Sequence, residues 1–279
     1  MASGNDNAMT NTPTLAERAD PHFLYELSVQ CAEAEIDFVD TTYRRLRGRN
    51  ARLVREDFCG TANVSCEWVK RRRGNRAIGI DIDPEVLAWG RANNLQRLSP
   101  AQRQRLELIP KNVLKARTEP PDIVSAMNFS YWLFKERKQL RRYFRSVKNA
   151  LADDGILFLD AYGGYDSFRV IEEEREIDAE GWQFKYIWEQ ERYDPISGGL
   201  ICNIHFTFPD GSRLERAFRY DWRLWTLAEI RDLLEEVGFR NIMVYWQGWD
   251  ADGEPDGNFQ PAQEGEAEAG WICYLTAEK

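Results

Sequence analysis

Apolar positions along the chain change period several times. Residues 1–14 are polar and read as a disordered tail. Residues 15–50 read as helices. Asp20-Pro21 supplies an N-cap with proline behind it, and Ile36, Val39, Tyr43 and Leu46 recur at helical spacing up to Gly48. From residue 51, short apolar runs alternate with helical stretches. Strands are expected at 51–57, 77–82, 105–109, 122–128 and 156–160. Helices are expected at 61–73, from Asp83-Pro84 onward, and along Leu140, Tyr143, Phe144, Val147 and Leu151. Such alternation predicts an α/β fold, a parallel sheet with helices on both faces. The period then shortens to two. Residues 182–193, 200–208 and 213–222 read as three antiparallel strands joined by turns at 194–199 and 209–211. Thr226 and Glu229 form a capping box for a helix that ends at Gly238. Strands follow at 241–247 and 271–276, separated by an acidic loop over 248–268. The predicted organisation is an N-terminal helical segment, a Rossmann-like unit at 51–165 and 224–279, and an inserted β cap at 166–223.

Composition narrows the class. The 279 residues are 43% hydrophobic and 30% charged, as in a globular domain. No apolar run reaches the 18 or so residues of a membrane helix, and the N-terminus carries no apolar signal core. The net charge of −9 argues against broad nucleic-acid binding. The basic runs Lys70–Arg73 and Arg137–Lys148 read as solvated helix faces, with an RNA path as the alternative. Five scattered cysteines and two histidines give neither a disulfide framework nor a zinc site. A reducing cytoplasm is the expected compartment.

In an open parallel sheet, ligands bind beyond the carboxyl ends of the strands where strand order reverses. The first such end reads Arg55-Glu56-Asp57-Phe58-Cys59-Gly60-Thr61-Ala62, the second Asp81-Ile82-Asp83. A carboxylate can accept from both hydroxyls of a ribose, and Asp81 lies 21 residues after Gly60. Gly60 would let backbone approach a ligand. The side-chain oxygen of Asn112 and the N–H of Val113 match the amino donor and ring acceptor of adenine. Arg55 could meet a ligand carboxylate or pair with Glu56 or Asp57. Cys59 and Cys66 read as packing residues. A dinucleotide is the weaker reading, because only Gly60 is present where a pyrophosphate needs several glycines, and Glu56 and Asp57 would repel it.

Together these motifs resemble those of class I S-adenosylmethionine-dependent methyltransferases. The segments are EDFCGTA, GIDIDPEVLAWGRA, LIPKNVL, DIVSAMNFSYW, LADDGILFLDAYGG and FRYDWRLWTLAEIRDLLEEVGF, covering roughly residues 50–278. The resemblance implies a seven-stranded sheet with its last strand antiparallel, and S-adenosyl-L-methionine as cofactor, S-adenosyl-L-homocysteine being the product. The cofactor contacts it implies are Arg55, Glu56, Cys59, Gly60, Thr61, Asp81, Ile82, Asn112, Val113, Asn128 and Phe129. In two respects the chain departs from the pattern. Phe58 and Ala62 stand where the family's first motif usually has glycine, and Asn112 where Asp is commoner.

The implied activity is methyl transfer to a small molecule held under the β cap, with no metal required. His205, Tyr131 and Tyr162 are the candidate bases. On the strand at 200–208, Ile201, Asn203, His205 and Thr207 share one face and Cys202, Ile204, Phe206 and Phe208 the other. His205 therefore faces either the substrate or solvent. Tryptophans around the cap could wall a planar or cationic substrate. A cyclase or lyase using the same cofactor, an RNA methyltransferase and a non-catalytic cofactor-binding protein are the alternatives; the Phe58 loop is the ground for the first. The expected partner is a small molecule, neither nucleic acid nor membrane, and the sequence is silent on oligomeric state.

Overall fold

The computed structural model describes residues 12–249 and 255–279. Three helices come first: α1 (Leu15–Arg18), α2 (Pro21–Ser28) and α3 (Ala32–Arg47). Thr14 caps α1, so the described end of the expected tail is already structured; residues 1–11 lie outside the description. The α/β alternation follows as β1 (Leu53–Asp57), α4 (Asn63–Arg71), β2 (Arg76–Asp81), α5 (Pro84–Asn93), α6 (Pro100–Arg103), β3 (Leu106–Pro110), β4 (Ile123–Ala126), α7 (Arg137–Ala150) and β5 (Ile156–Gly163). The cap contains β6 (Ile171–Ala179), β7 (Trp182–Asp194), β8 (Gly199–Thr207) and β9 (Arg213–Arg223). The chain then returns through α8 (Leu227–Glu236), β10 (Arg240–Trp249), β11 (Pro255–Ala262) and β12 (Trp271–Glu278).

The main sheet runs β11-β10-β12-β5-β4-β1-β2-β3. Strands β1 to β5 pair in parallel, while β12 is antiparallel to both β5 and β10. It is a Rossmann-like, mostly parallel sheet with helices on both faces and a separate antiparallel cap. Two strand counts differ from expectation. The sheet has eight strands rather than seven, because part of the acidic loop pairs with β10 as β11; residues 250–254 of that loop lie outside the description. The cap has four strands rather than three, because β6 pairs along its whole length with β7.

Alternate strand residues feed two cores. Leu53, Ile78, Val124 and Leu157 pack under α7 and α8, while Val54, Ala77, Ile123 and Phe158 pack under α3 and α4. The chain steps outward from β1 to β3, then returns to place β4 beside β1. This reversal opens the crevice at the carboxyl ends of β1, β2 and β4.

Candidate functional site

The loop after β1 turns left-handed at three alternate residues: Phe58 (φ 61°), Gly60 (φ 51°) and Ala62 (φ 59°). These are the three positions at which the methyltransferase motif usually has glycine. Phenylalanine and alanine thus adopt a backbone that costs about 1–2 kcal/mol for an L-residue. Packing supports it. The Phe58 ring lies 5.6 Å from that of Tyr143 and 6.0 Å from that of Phe134, and Ala62 is fully buried. Cys59 is buried against Gly79, where an added Cβ would come within 2.8 Å of its Sγ.

At the end of β2, Asp81 Oδ2 accepts the Gly60 N–H at 2.9 Å, and Oδ1 accepts the Asp83 N–H at 2.9 Å. A carboxylate oxygen has two acceptor sites, so each retains one toward the half-open crevice. Asp83 instead caps α5 through the Glu85 N–H at 2.8 Å. Ile82 is 68% exposed beside it, an apolar side chain with nothing packed over most of its surface. Asn112 Oδ1 accepts the Leu114 N–H at 2.9 Å, so the oxygen expected to face adenine is shared with its own turn. The Val113 N–H meets no acceptor among the described residues. Thr61 Oγ1 donates to Glu26 Oε1 of α2 at 2.5 Å, tying the N-terminal helices to the loop.

Arg55, Glu56 and Cys59, expected as cofactor contacts, are buried among the protein's own groups. Arg55 forms a two-point pair with Asp57 at 2.7 and 3.1 Å, and its third nitrogen, Nη1, has no partner among the described residues. Tyr143 donates to Asp57 at 3.0 Å. Glu56 Oε2 accepts the Ser65 N–H at 2.9 Å and the Ser65 hydroxyl at 2.5 Å, anchoring the first turn of α4. Burial pushes its carboxyl up to about 7. Burial likewise pushes the Cys59 thiol well upward, as suits a packing residue.

Beyond β4, Asn128 and Phe129 are both left-handed (φ 56° each). Their N–H groups donate to the two oxygens of Asp160 at 2.7 and 2.9 Å. Asp160 lies within β5, just past its parallel pairing with β4, and is 6% exposed; burial pushes its carboxyl up to about 7. Asn128, Phe129 and Asp160 form one wall of a 660 Å³ cavity between the main sheet, α2 and the inner face of the cap. Other walls are aromatic: Tyr25, Tyr162, Trp188, Tyr220, Trp222 and Trp271. Tyr220 and Trp222 stack at 4.3 Å. The charged residues Glu173 and Arg175 reach it from β6.

The three candidate bases separate. Tyr162 lines the cavity, but burial raises its phenol well above the ordinary value, so it stays protonated at neutral pH. Tyr131 is fully buried outside the cavity lining, and its hydroxyl donates to the Asp160 backbone carbonyl at 2.7 Å. His205 does not line the cavity, although its neighbour Ile204 does; strand alternation turns it to the outer face of the cap. There it is covered by carboxylates, Nδ1 lying 2.6 Å from Glu215 and Nε2 3.1 Å from Glu189. Asn203 shares that face and donates to Glu189 and Glu191. Asp160 is not among the site residues expected from the sequence, although the expected strand 156–160 ends on it. The contribution of α2 was not signalled at all, since it depends on long-range packing.

No known family profile matches the chain, and no curated protein matches it. Solved structures do match. An S-adenosylmethionine-dependent methyltransferase from Clostridium acetobutylicum aligns over 92% of this chain and 96% of its own, at 14% identity and a TM-score of 0.65. An amino pentose methyltransferase of calicheamicin biosynthesis from Micromonospora echinaspora covers 92% and 95%, at 14% identity and a TM-score of 0.66. A sugar N-methyltransferase from a Streptoalloteichus species covers 100% and 98%, at 15% identity and a TM-score of 0.64. At these identities the likeness is one of fold: the chain has the fold of class I S-adenosylmethionine-dependent methyltransferases with a β-insert.

Proposed function

We propose that the protein is an S-adenosylmethionine-dependent methyltransferase acting on a small molecule. One observation carries this reading. The left-handed loop Phe58–Ala62 is hydrogen-bonded through Gly60 to Asp81, at the carboxyl ends of adjacent strands where strand order reverses. The groups left free in that crevice match a nucleoside. Asp81 keeps acceptor sites for ribose hydroxyls, Ile82 offers an apolar face to the base, and the Val113 N–H is a donor for a ring nitrogen. A pyrophosphate fits poorly. The α4 N-terminus, which would hold it, already spends the Ser65 N–H on the buried Glu56 carboxylate.

When bound, the cofactor supplies an electrophilic methyl group on a sulfonium. The chain's own residues position and exclude water. Asn128 and Phe129 belong to both the crevice and the cavity, so the acceptor would meet the cofactor beside them. The aromatic walls keep water out and hold the acceptor in line, which is where most of the acceleration of a simple displacement arises. Carboxylates among aromatic rings favour a substrate that arrives as a cation, and the similar folds of amino-sugar methyltransferases support an amine, whose nitrogen must lose a proton before it takes the methyl group. Phe58, the ground for a cyclase or lyase, takes the backbone conformation that glycine would, so that reading loses its support.

Thermal unfolding with S-adenosylhomocysteine and with NAD tests the proposal. A ligand at 100 times its Kd adds about 2.7 kcal/mol, or about 5–11 °C in Tm for a chain of this size. S-adenosylhomocysteine should give that shift and NAD none; the reverse pattern would overturn the proposal.

A further inference from the structure

We propose that Asp160 is the group that binds the substrate's amine as its ammonium form, taking up the proton that the nitrogen must lose before it can accept the methyl group, and that the charge of Asp160 makes substrate binding pH-dependent. This rests on the methyltransferase reading and adds a residue to it. The geometry is specific. Both Asp160 oxygens are fixed by the Asn128 and Phe129 N–H groups, so the carboxylate cannot swing away, and each oxygen keeps one acceptor site. It forms part of the cavity wall shared with Phe129, Tyr162 and Trp222. A cation entering there gains both an anionic partner and ring faces.

The surroundings favour a carboxylate that changes charge near neutrality. Glu35 of α3, Tyr25 of α2, Tyr131, and Cys273 and Tyr274 of β12 interact with it, and Tyr162, Asp166, Glu173 and Glu174 line the same cavity. The cavity's cation, Arg175, is turned to the Ser28 carbonyl and the Tyr186 ring rather than to Asp160. Burial pushes the Asp160 carboxyl to about 7, and the two N–H bonds offset this only in part. A bound cation would favour the ionised form, so its arrival expels a proton.

Tetramethylammonium, which has no proton of its own to exchange, is the probe. Titration into the protein saturated with S-adenosylhomocysteine should show affinity rising about thirtyfold from pH 5.5 to pH 8, the ratio set by ionisation near 7. Asp160→Asn should weaken binding and flatten that dependence to under threefold, while S-adenosylhomocysteine still binds. If the variant does not fold, wild-type calorimetry in phosphate and in Tris at pH 7 decides the matter: about half a proton should be released per probe bound. An unchanged pH dependence in Asp160→Asn, a buffer-independent heat, or a protein that binds S-adenosylhomocysteine but not tetramethylammonium would each overturn the assignment. Failure of the wild type to bind S-adenosylhomocysteine would instead overturn the methyltransferase reading.

Discussion

Asp81 and Asp83 stand two residues apart at the end of β2, yet the structure gives them different work. Asp81 accepts the Gly60 and Asp83 N–H groups, each at 2.9 Å, and keeps acceptor capacity toward the crevice. Asp83 accepts the Glu85 N–H at 2.8 Å and caps α5. Replacing Asp83 by Ala should cost about 1 kcal/mol of stability, as for other N-caps. Replacing Asp81 by Ala removes two backbone contacts from a half-buried position, for a loss on the order of 1–2 kcal/mol at about 1 kcal/mol per bond. Each kilocalorie lowers Tm by about 2–4 °C at this size. The two variants therefore look alike by scanning calorimetry. They should differ in ligand binding. Charge-assisted bonds to the ribose are worth about 1.5–3 kcal/mol, so Asp81→Ala should weaken S-adenosylhomocysteine by about 10- to 150-fold. Asp83→Ala should stay within about threefold. Isothermal titration at 25 °C reads both. Equal losses in the two variants, or loss only in Asp83→Ala, would refute the assignment of Asp81 as the ribose ligand.

Glu56 provides a pH test: burial raises its carboxyl from an ordinary 4.5 to about 7, so its neutral form is the stable one in the fold. Its contribution is full below pH 4.5 and is lost as pH rises through 7, a change on the order of 3 kcal/mol. Glu56→Gln should therefore gain in Tm relative to wild type between pH 5 and pH 8; a constant difference would contradict this. His205→Ala should lower stability by about 1–3 kcal/mol, since Glu189 and Glu215 lose their shared partner, while S-adenosylhomocysteine affinity stays within about threefold. A strong loss of affinity by titration would place His205 in the site after all. Trp222→Leu should weaken tetramethylammonium by about 2- to 30-fold through the lost ring face and leave S-adenosylhomocysteine within about threefold; parallel losses would show that cavity and crevice are one site.

The parallel core was legible because buried strands such as Ile78–Ile80 and Ile156–Leu159 are apolar runs bounded by turn residues and caps. The strand β6, Ile-Glu-Glu-Glu-Arg-Glu-Ile-Asp-Ala, was not. Being an edge strand with its outer face in solvent, it is largely charged and lacks the apolar alternation that marks a strand. The strand β11 contains Pro255, Gly257 and Pro261, turn residues that a sheet tolerates at its edge. The division of β8 into two faces was readable from alternation. Which face turned inward was not, because that depends on how the cap docks: the apolar face carrying Cys202, Ile204 and Phe206 is the one buried toward the main sheet and α2, leaving His205 outside. At the crevice, residue type marked Asp81 as a strand-end acid, and the structure joins it to Gly60 by a hydrogen bond. For Arg55 and Glu56, type alone could not distinguish a ligand contact from the internal pairs with Asp57 and Ser65 that the structure contains.

The most direct test of the central claim is a crystal structure with S-adenosylhomocysteine bound. The ribose hydroxyls should lie on Asp81, the base between Ile82 and the Val113 N–H, and the sulfur at the Asn128–Phe129 edge of the 660 Å³ cavity. A homocysteine sulfur directed away from that cavity, or a nucleoside bound with Asp81 untouched, would contradict it.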